Sequence, residues 1–450
     1  MTKQHHYLPD TEQDRKEMMD VIGISSIDEL FADLPESVRT KEPMQLKPAL
    51  AQTELTRFLS QMAARNKTAD ELPLFLGAGT YDHYIPSVVD AVISRSEFLT
   101  AYTPYQPEAS QGELQALFEF QTMICELTGM EVSNSSLYDG FASLGEACNL
   151  ATSVTKKPKV LLSKAIHPQA REVVHTYAYG MEYAVEEIGL VEDITDLEEL
   201  KAKLDGETGA VVVQYPNFFG SIEDLKEIKM MLADTKALLI VVSNPLALGL
   251  LEAPGNLGAD IVVGDMQPLG IPMSFGGPHC GYFTVNKKLI RKVPSRIVGQ
   301  TVDTEGKRGF VMTLQTREQH IRREKATSNM SSNQALNALA SSVAMTALGK
   351  QGIREMAQQN VNKAHYLAQK LTEKGFFVHN KATFFNEFVV ETNKPIAEIN
   401  QALLAKGFIG GFDVSGFMES DHSLLVCVTE KRTKAEIEAF ADALEEVDRV

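Results

Sequence analysis

Cysteine is scarce in this chain, and its four copies, Cys125, Cys148, Cys280 and Cys427, are widely separated with no C-x-x-C pair. That spacing excludes a disulfide framework or a structural zinc knuckle and suits a reducing compartment. Positive charge is also short. Forty-three Lys and Arg against 60 Asp and Glu leave a net charge of −17, so sequence-independent attraction to nucleic acid or to an anionic membrane is not expected. Long apolar runs are absent too: the longest, Ala237 to Leu251, is broken by Ser243-Asn244-Pro245, and no membrane span is expected. The opening MTKQHHYLPDTEQDRKEMMD is polar and charged, which does not read as a secretory signal. The expected location is the cytoplasm.

What the chain does have is the composition of a soluble globular protein, 44% hydrophobic and 23% charged over 450 residues, with room for more than one domain. Residues 1–60 read as a helical arm, with a helix start at Thr11 and a capping box at Ser26 and Glu29. Ser110 with Glu113 predicts a second capping box, ahead of a helix closed by Gly129. Apolar β-rich runs follow at 159–163, 209–216, 236–244, 259–264 and 281–285, with helical patterns at 168–180, 195–204 and 221–233. Continuous apolar strands joined by helices predict a mainly parallel sheet covered on both faces. Such sheets bind ligands at the carboxyl ends of their strands. After about residue 330, helical runs at 331–374 lead into a pattern of short strands and helices. The expected organisation is an arm (1–60), a large α/β domain (61–330) and a smaller C-terminal α+β domain with its linking helices (331–450).

That layout resembles the fold-type I pyridoxal-phosphate enzymes, and it raises a further absence. The cofactor needs a lysine for its aldehyde, an acid for its pyridinium nitrogen and a helix N-terminus for its phosphate. The segment GDMQPLGIPMSFGGPHCGYF (264–283) has the setting for the lysine but carries Gln267 in the loop. Asn244 stands at the strand end where the acid belongs, and it is neutral. Asp139 reads as the N-cap of the helix starting near SLYDGFASLGEA (136–147), where its charge opposes a phosphate. Lys164, Lys287 and Lys288 are the alternative amines; the first follows a different strand and the other two lie beyond the glycine pair.

The stretch FLGAGTYDHYIPSVVDAVISRSEFLTAYTPYQPEASQGELQALFEFQTMICELTGM (75–130) strongly resembles the glycine-cleavage P-protein family, in its N-terminal-half or first-subunit form. YDGFASLGEA (138–147), the 264–283 segment and LQTREQHIRREKATSN (314–329) continue the match over nearly the whole chain. The resemblance implies one half of a split enzyme, with no cofactor bound at the degenerate positions Asp139, Asn244 and Gln267. It implies a lysine-bearing second subunit, two of each, that holds pyridoxal phosphate. That complex would decarboxylate glycine and pass the aminomethyl group to the lipoyl arm of H-protein. A catalytically inert scaffold of the same fold and an independent pyridoxal-phosphate decarboxylase remain the alternatives.

Two clusters are candidates for lining the subunit junction or the partner's active site. One is the pair of loops at 81–84 and 102–107, with His83, Tyr84, Tyr102, Thr103 and Tyr105; the competing reading is tyrosines pinning a loop. The other is REQHIRREK (317–325) with the polar residues after it, from which Arg322, Lys325, Thr327 and Asn329 are selected. It reads as an anion or acidic-partner site, or else as a helix salt-bridged through Glu318 and Glu324. His5, His6, His167, His279 and Cys280 lack metal-ligand spacing, and no metal site is expected.

Overall fold

The computed structural model describes residues 7–449 except 41, 43, 327, 331, 419 and 421. The polypeptide divides into two units, Met1–Lys67 and Thr68–Val450. The first contains helices α1 (Glu12–Ile22) and α2 (Gln52–Ala63). Thr11 and Asp14 form a reciprocal capping box at α1, Gly23 closes that helix at φ 83°, and the Ser26–Glu29 box opens a 3-10 turn at Ile27–Phe31.

The second unit begins with short helices α3 (Val88–Ile93) and α4 (Ser96–Leu99), then the long α5 (Gln111–Thr128). Gly129 ends α5 at φ 68°, as its sequence predicts. The capping box at Ser110 does not form: Ser110 makes no cap bond, and Glu113 lies half-buried in the field of Arg296. Next come β1 (Val132–Ser133), α6 (Gly140–Thr155), β2 (Lys159–Ser163), α7 (Pro168–Met181) and β3 (Ala184–Ile188). A small hairpin, β4 (Leu190–Val191) and β5 (Ile194–Thr195), precedes α8 (Leu197–Lys203), β6 (Thr208–Tyr215), α9 (Leu225–Met231) and β7 (Leu238–Ser243). β8 (Ile261–Asp265) and β9 (Gly281–Val285) complete a seven-stranded sheet of order β1-β9-β8-β7-β6-β2-β3. Strands β3, β2, β6, β7 and β8 are parallel, and β9 turns the edge antiparallel.

The strands are apolar on both sides because both sides are covered. Leu161, Val211, Val213, Leu239, Val241 and Val262 face a core built with α5 and α9. Val160, Leu162, Val212, Ile240, Ile261 and Phe283 face the opposite core, built with α6 and α7. Beyond the sheet, a β-ribbon of β10 (Ile297–Val302) and β11 (Arg308–Thr313) leads through α10 (Gln319–Arg322) to α11 (Ala335–Glu373). Helix α11 is broken at Gly349, φ 62°.

The remaining elements are β12 (Phe377–Val378), β13 (Glu387–Glu391), α12 (Ile396–Ala405), β14 (Phe412–Asp413), β15 (Ser423–Cys427) and α13 (Lys434–Arg449). The four strands form a separate antiparallel sheet whose core includes Leu367, Phe388, Leu424, Val426 and Phe440. Its β13 meets the loop after β6 closely: a Cβ on Gly220 would lie 1.9 Å from the Glu387 carbonyl oxygen, so only glycine fits there. Among the described residues no helix is long and apolar enough to cross a membrane.

Candidate functional site

At the carboxyl ends of β6, β7 and β8 lies a cavity of about 80 Å³, lined by Tyr81, His167, Asn244, Asp265, Glu387 and the backbone around them. Pockets for cofactor-sized ligands begin at roughly 300 Å³. The loop after β8 runs beside it, with Pro268 in its wall. Gln267, 1% exposed, reaches across to the 77–84 segment. Its Oε1 accepts from the Tyr81 N–H at 2.9 Å, and its Nε2 donates to the carbonyls of Tyr81 (2.8 Å) and Ile271 (3.1 Å). An amide fills this place completely because it offers both a donor and an acceptor.

The N-terminus of α6 is occupied in a similar way. Asp139 Oδ1 accepts from Ala142 N at 2.7 Å, and Asp265 Oδ2 accepts from Gly140 N at 3.0 Å. Two carboxylates therefore already take the donors and the positive dipole end that a phosphate would need. Asp265 also accepts from the His279 ring at 3.2 Å, a bond that raises the imidazole's pKa. Asn244 turns its Oδ1 to the N–H of Leu246, 3.0 Å away, and caps its own loop. No lysine lines the cavity. Lys164 is exposed, and Lys288 pairs with Asp260 at 2.9 Å. The residues present do not fit pyridoxal phosphate: the amine is missing, the phosphate seat is filled by carboxylates and the space is too small.

The cavity's remaining polar groups hold one another. Glu387 accepts from Ala78 N at 2.7 Å and from the Tyr81 hydroxyl at 2.8 Å, and burial pushes its carboxyl up to about 7. His167 is pushed down to about 4 by burial. It donates from Nε2 to the Ala78 carbonyl at 3.1 Å while its Nδ1 accepts from Gln169 N, with its ring between Phe141 and Phe218. That imidazole is neutral at physiological pH.

Of the residues selected from sequence, His83 is buried and donates from Nδ1 to Glu430 at 2.8 Å. Asp82 beside it pairs with Lys431 (2.6 Å) and Arg432 (2.8 Å). Tyr81, Asp82 and His83 thus fasten their loop to the C-terminal sheet and the turn after it. Tyr84 and Tyr105 are half-exposed, Thr103 is half-buried and Tyr102 is 86% exposed. Tyr105 stacks its ring near Arg296, whose Nη2 is 3.4 Å from the hydroxyl, and His320. Arg322 and Lys325 come together around a different hollow, and Asn329 is exposed. Thr327, His5 and His6 lie outside the described residues. Among the described residues, no group of three or more His, Cys, Asp or Glu side chains is arranged to hold a metal ion.

Asp265 and Glu387 carry much of this geometry and were not selected from sequence as site residues; Tyr81 stands in the 81–84 loop that was. Asp265 is 125 positions from its partner Gly140, and Tyr81 is 306 from Glu387. The Gly264-Asp265 pair at a strand end is the one local signal, and it is shared by many strand ends.

Comparison with known proteins follows the same outline. The family model for the glycine cleavage system P-protein matches residues 5–444. A Geobacillus sp. (strain WCH70) protein named probable glycine dehydrogenase (decarboxylating) subunit 1 is 60% identical over 441 residues, covering 98% of each chain. A Bacillus cereus (strain ATCC 10987 / NRS 248) protein of the same name is 58% identical, over 98% of this chain and 99% of its own. The crystal structure of an inhibitor-bound glycine decarboxylase (P-protein) of the glycine cleavage system superposes with a TM-score of 0.89 at 41% identity, over 98% of this chain and 100% of that one. A Burkholderia pseudomallei sphingosine-1-phosphate lyase is similar in fold alone, with a TM-score of 0.66 at 15% identity over 91% of this chain and 92% of its own.

Proposed function

Because this chain belongs to the glycine cleavage system P-protein family, we propose that it is the half of a two-subunit glycine decarboxylase that holds no cofactor. It is a subunit of a heteromeric glycine dehydrogenase (decarboxylating) of the fold-type I class. Pyridoxal phosphate supplies the electron sink for glycine decarboxylation, and on this reading it sits on a lysine-bearing second subunit, two of each per complex. The aminomethyl group then passes to the lipoyl arm of H-protein, in the cytoplasm. On this reading the large domain (61–330) and the small domain (331–450), with the arm (1–60), make up the cofactor-free half.

The observation that carries the reading is Gln267. A side chain that bridges Tyr81 and Ile271 through three hydrogen bonds has replaced the required amine with a structural clasp. This chain's own contribution is then to hold its exposed loop residues, Tyr102 and Tyr105 foremost, toward the partner's site. The exposure of Tyr84 and Tyr102 supports that role, since a tyrosine hydroxyl in solvent can donate or accept a bond outside the chain.

The test is to purify this chain with and without the lysine-bearing subunit, add pyridoxal phosphate, reduce with borohydride and map the modified peptide. We expect the adduct on the partner alone, and glycine–bicarbonate exchange only with both chains. A stoichiometric adduct on any lysine of this chain would overturn the reading. Full exchange by the partner alone would leave this chain as an inert scaffold.

A further inference from the structure

A second hollow, of about 300 Å³, lies away from the strand-end cavity and is lined by Arg291, Lys292, Leu314, Thr316, Arg317, Arg322 and Lys325. Five of its seven walls are cationic in a chain whose net charge is −17. The five come from three separate turns: the 3-10 turn Lys287–Lys292 after β9, the turn Gln315–Arg317 after β11, and the α10 segment with the turn Arg323–Lys325 behind it. No carboxylate lines the space. None of the five side chains forms an ion pair among the described residues; Glu318, the acid beside Arg317, acts on that guanidinium through its charge, with its Oε2 3.6 Å from His320.

Gathering like charges from distant segments is unfavourable unless something neutralises them. Arg317 makes the deficit specific. Its Nη1 donates to the Val293 carbonyl, while its Nε and Nη2 are buried with no partner. Burial lowers its pKa, yet a guanidinium stays charged. Both nitrogens are closed off from solvent, so Arg317 gives the wall of the hollow its charge and not an open hydrogen-bonding edge. Arg322 holds its place from the other side by donating Nε to the Thr316 carbonyl at 3.0 Å, which leaves its terminal nitrogens free for a ligand.

We propose that this hollow is an oxyanion site that takes a phosphate group, as inorganic phosphate or as the phosphate of a small phosphomonoester. Five positive charges call for a multiply charged anion, which excludes a simple carboxylate. Leu314 is the one apolar wall, so the site grips the charged head and not an apolar body. The volume stands at the lower end of the range for small-molecule pockets. The site is independent of the strand-end cavity and goes beyond the decarboxylase reading. It gives the subunit a means of sensing a phosphorylated metabolite at the turns that follow β11.

The test is isothermal titration of the assembled two-subunit complex with inorganic phosphate, and in a parallel arm with glycerol 3-phosphate, at constant ionic strength set by chloride. We expect saturable binding. The exposed-residue double variant Arg322→Ala/Lys325→Ala should weaken it at least about tenfold, equivalent to ~1.4 kcal/mol, and Arg317→Lys, which keeps the charge, should retain it. Tighter binding of the ester identifies a phosphomonoester as the ligand; equal affinity identifies free phosphate. Absence of saturable heat, equal affinity in all three proteins, or displacement by chloride alone would overturn the proposal. So would binding to the free chain that disappears in the complex, because the hollow would then be a seat for acidic groups of the partner.

Discussion

Replacing Gln267 with lysine returns the residue type that the cofactor chemistry requires, and it should return none of the chemistry. The amide's one acceptor serves the Tyr81 N–H and its donors serve two carbonyls. An ammonium has three donors and no acceptor, so Tyr81 N loses its partner at a cost of about 1–3 kcal/mol. The position is 1% exposed, and placing a charge there, or discharging the amine, costs about 2–4 kcal/mol more. Asp265, 2.9 Å from the residue's own N–H, offsets part of that through its carboxylate. A net loss of about 3–5 kcal/mol is a large share of the roughly 5–15 kcal/mol typical of a folded domain. The new amine still finds no phosphate seat, since Asp139 and Asp265 hold the first N–H groups of α6. The assay is the urea-unfolding midpoint of wild-type and Gln267→Lys chains, followed by borohydride reduction with pyridoxal phosphate and peptide mass mapping. A variant within about 1 kcal/mol of wild type that carries a stoichiometric adduct at position 267 would refute the reasoning.

Glu387 gives a test by pH. Its carboxyl is raised from 4.5 to about 7, so the native state keeps a proton that the unfolded chain releases, and stability falls as pH rises from about 4.5 through 7; at ~1.4 kcal/mol per pH unit the loss is about 3 kcal/mol. Glu387→Gln mimics the protonated form and should remove that slope, and an unchanged difference between unfolding at pH 5 and pH 8 would count against it. Glu430 runs the opposite way: burial raises it, but the His83 ring and its hydrogen bonds prevail and hold it at about 2. Its contribution is therefore complete above about 4.5 and drains away as pH falls toward 2, an acid limb that Glu430→Gln should flatten in the same unfolding series. His83→Ala leaves the Glu430 charge buried without its partner and should cost about 3–5 kcal/mol, read from thermal unfolding; a loss below about 1 kcal/mol would mean the pair contributes little. Tyr102→Phe removes a hydroxyl from a side chain in solvent, so stability should stay within about 0.5 kcal/mol while glycine-dependent exchange by the complex slows; wild-type rates would remove Tyr102 from the partner's site.

The apolar runs by themselves determined five of the sheet's seven strands, β2, β6, β7, β8 and β9, while β1 and β3 came only with the fold. KVLLS and GYFTV became β2 and β9 at their predicted bounds, because a strand covered on both faces has to be apolar at every position. Gly129 and Thr11 ended and began their helices as read, since left-handed caps and capping boxes act over three or four residues. The same local logic failed at Ser110, where Glu113 is half-buried and that burial raises its carboxyl against the field of Arg296, and it did not locate the break of α11 at Gly349 within the helical runs of 331–374. The missing lysine was legible because an absence in a motif needs no folding to be seen. What replaced it was not. The clasp from Gln267 to Tyr81, the second carboxylate on α6 and the buried Glu387 join positions 125 to 306 residues apart. The five cations of the second hollow likewise converge from three turns. Periodicity records which face of an element is buried. Only the folded chain decides which distant polar groups that burial forces to satisfy one another.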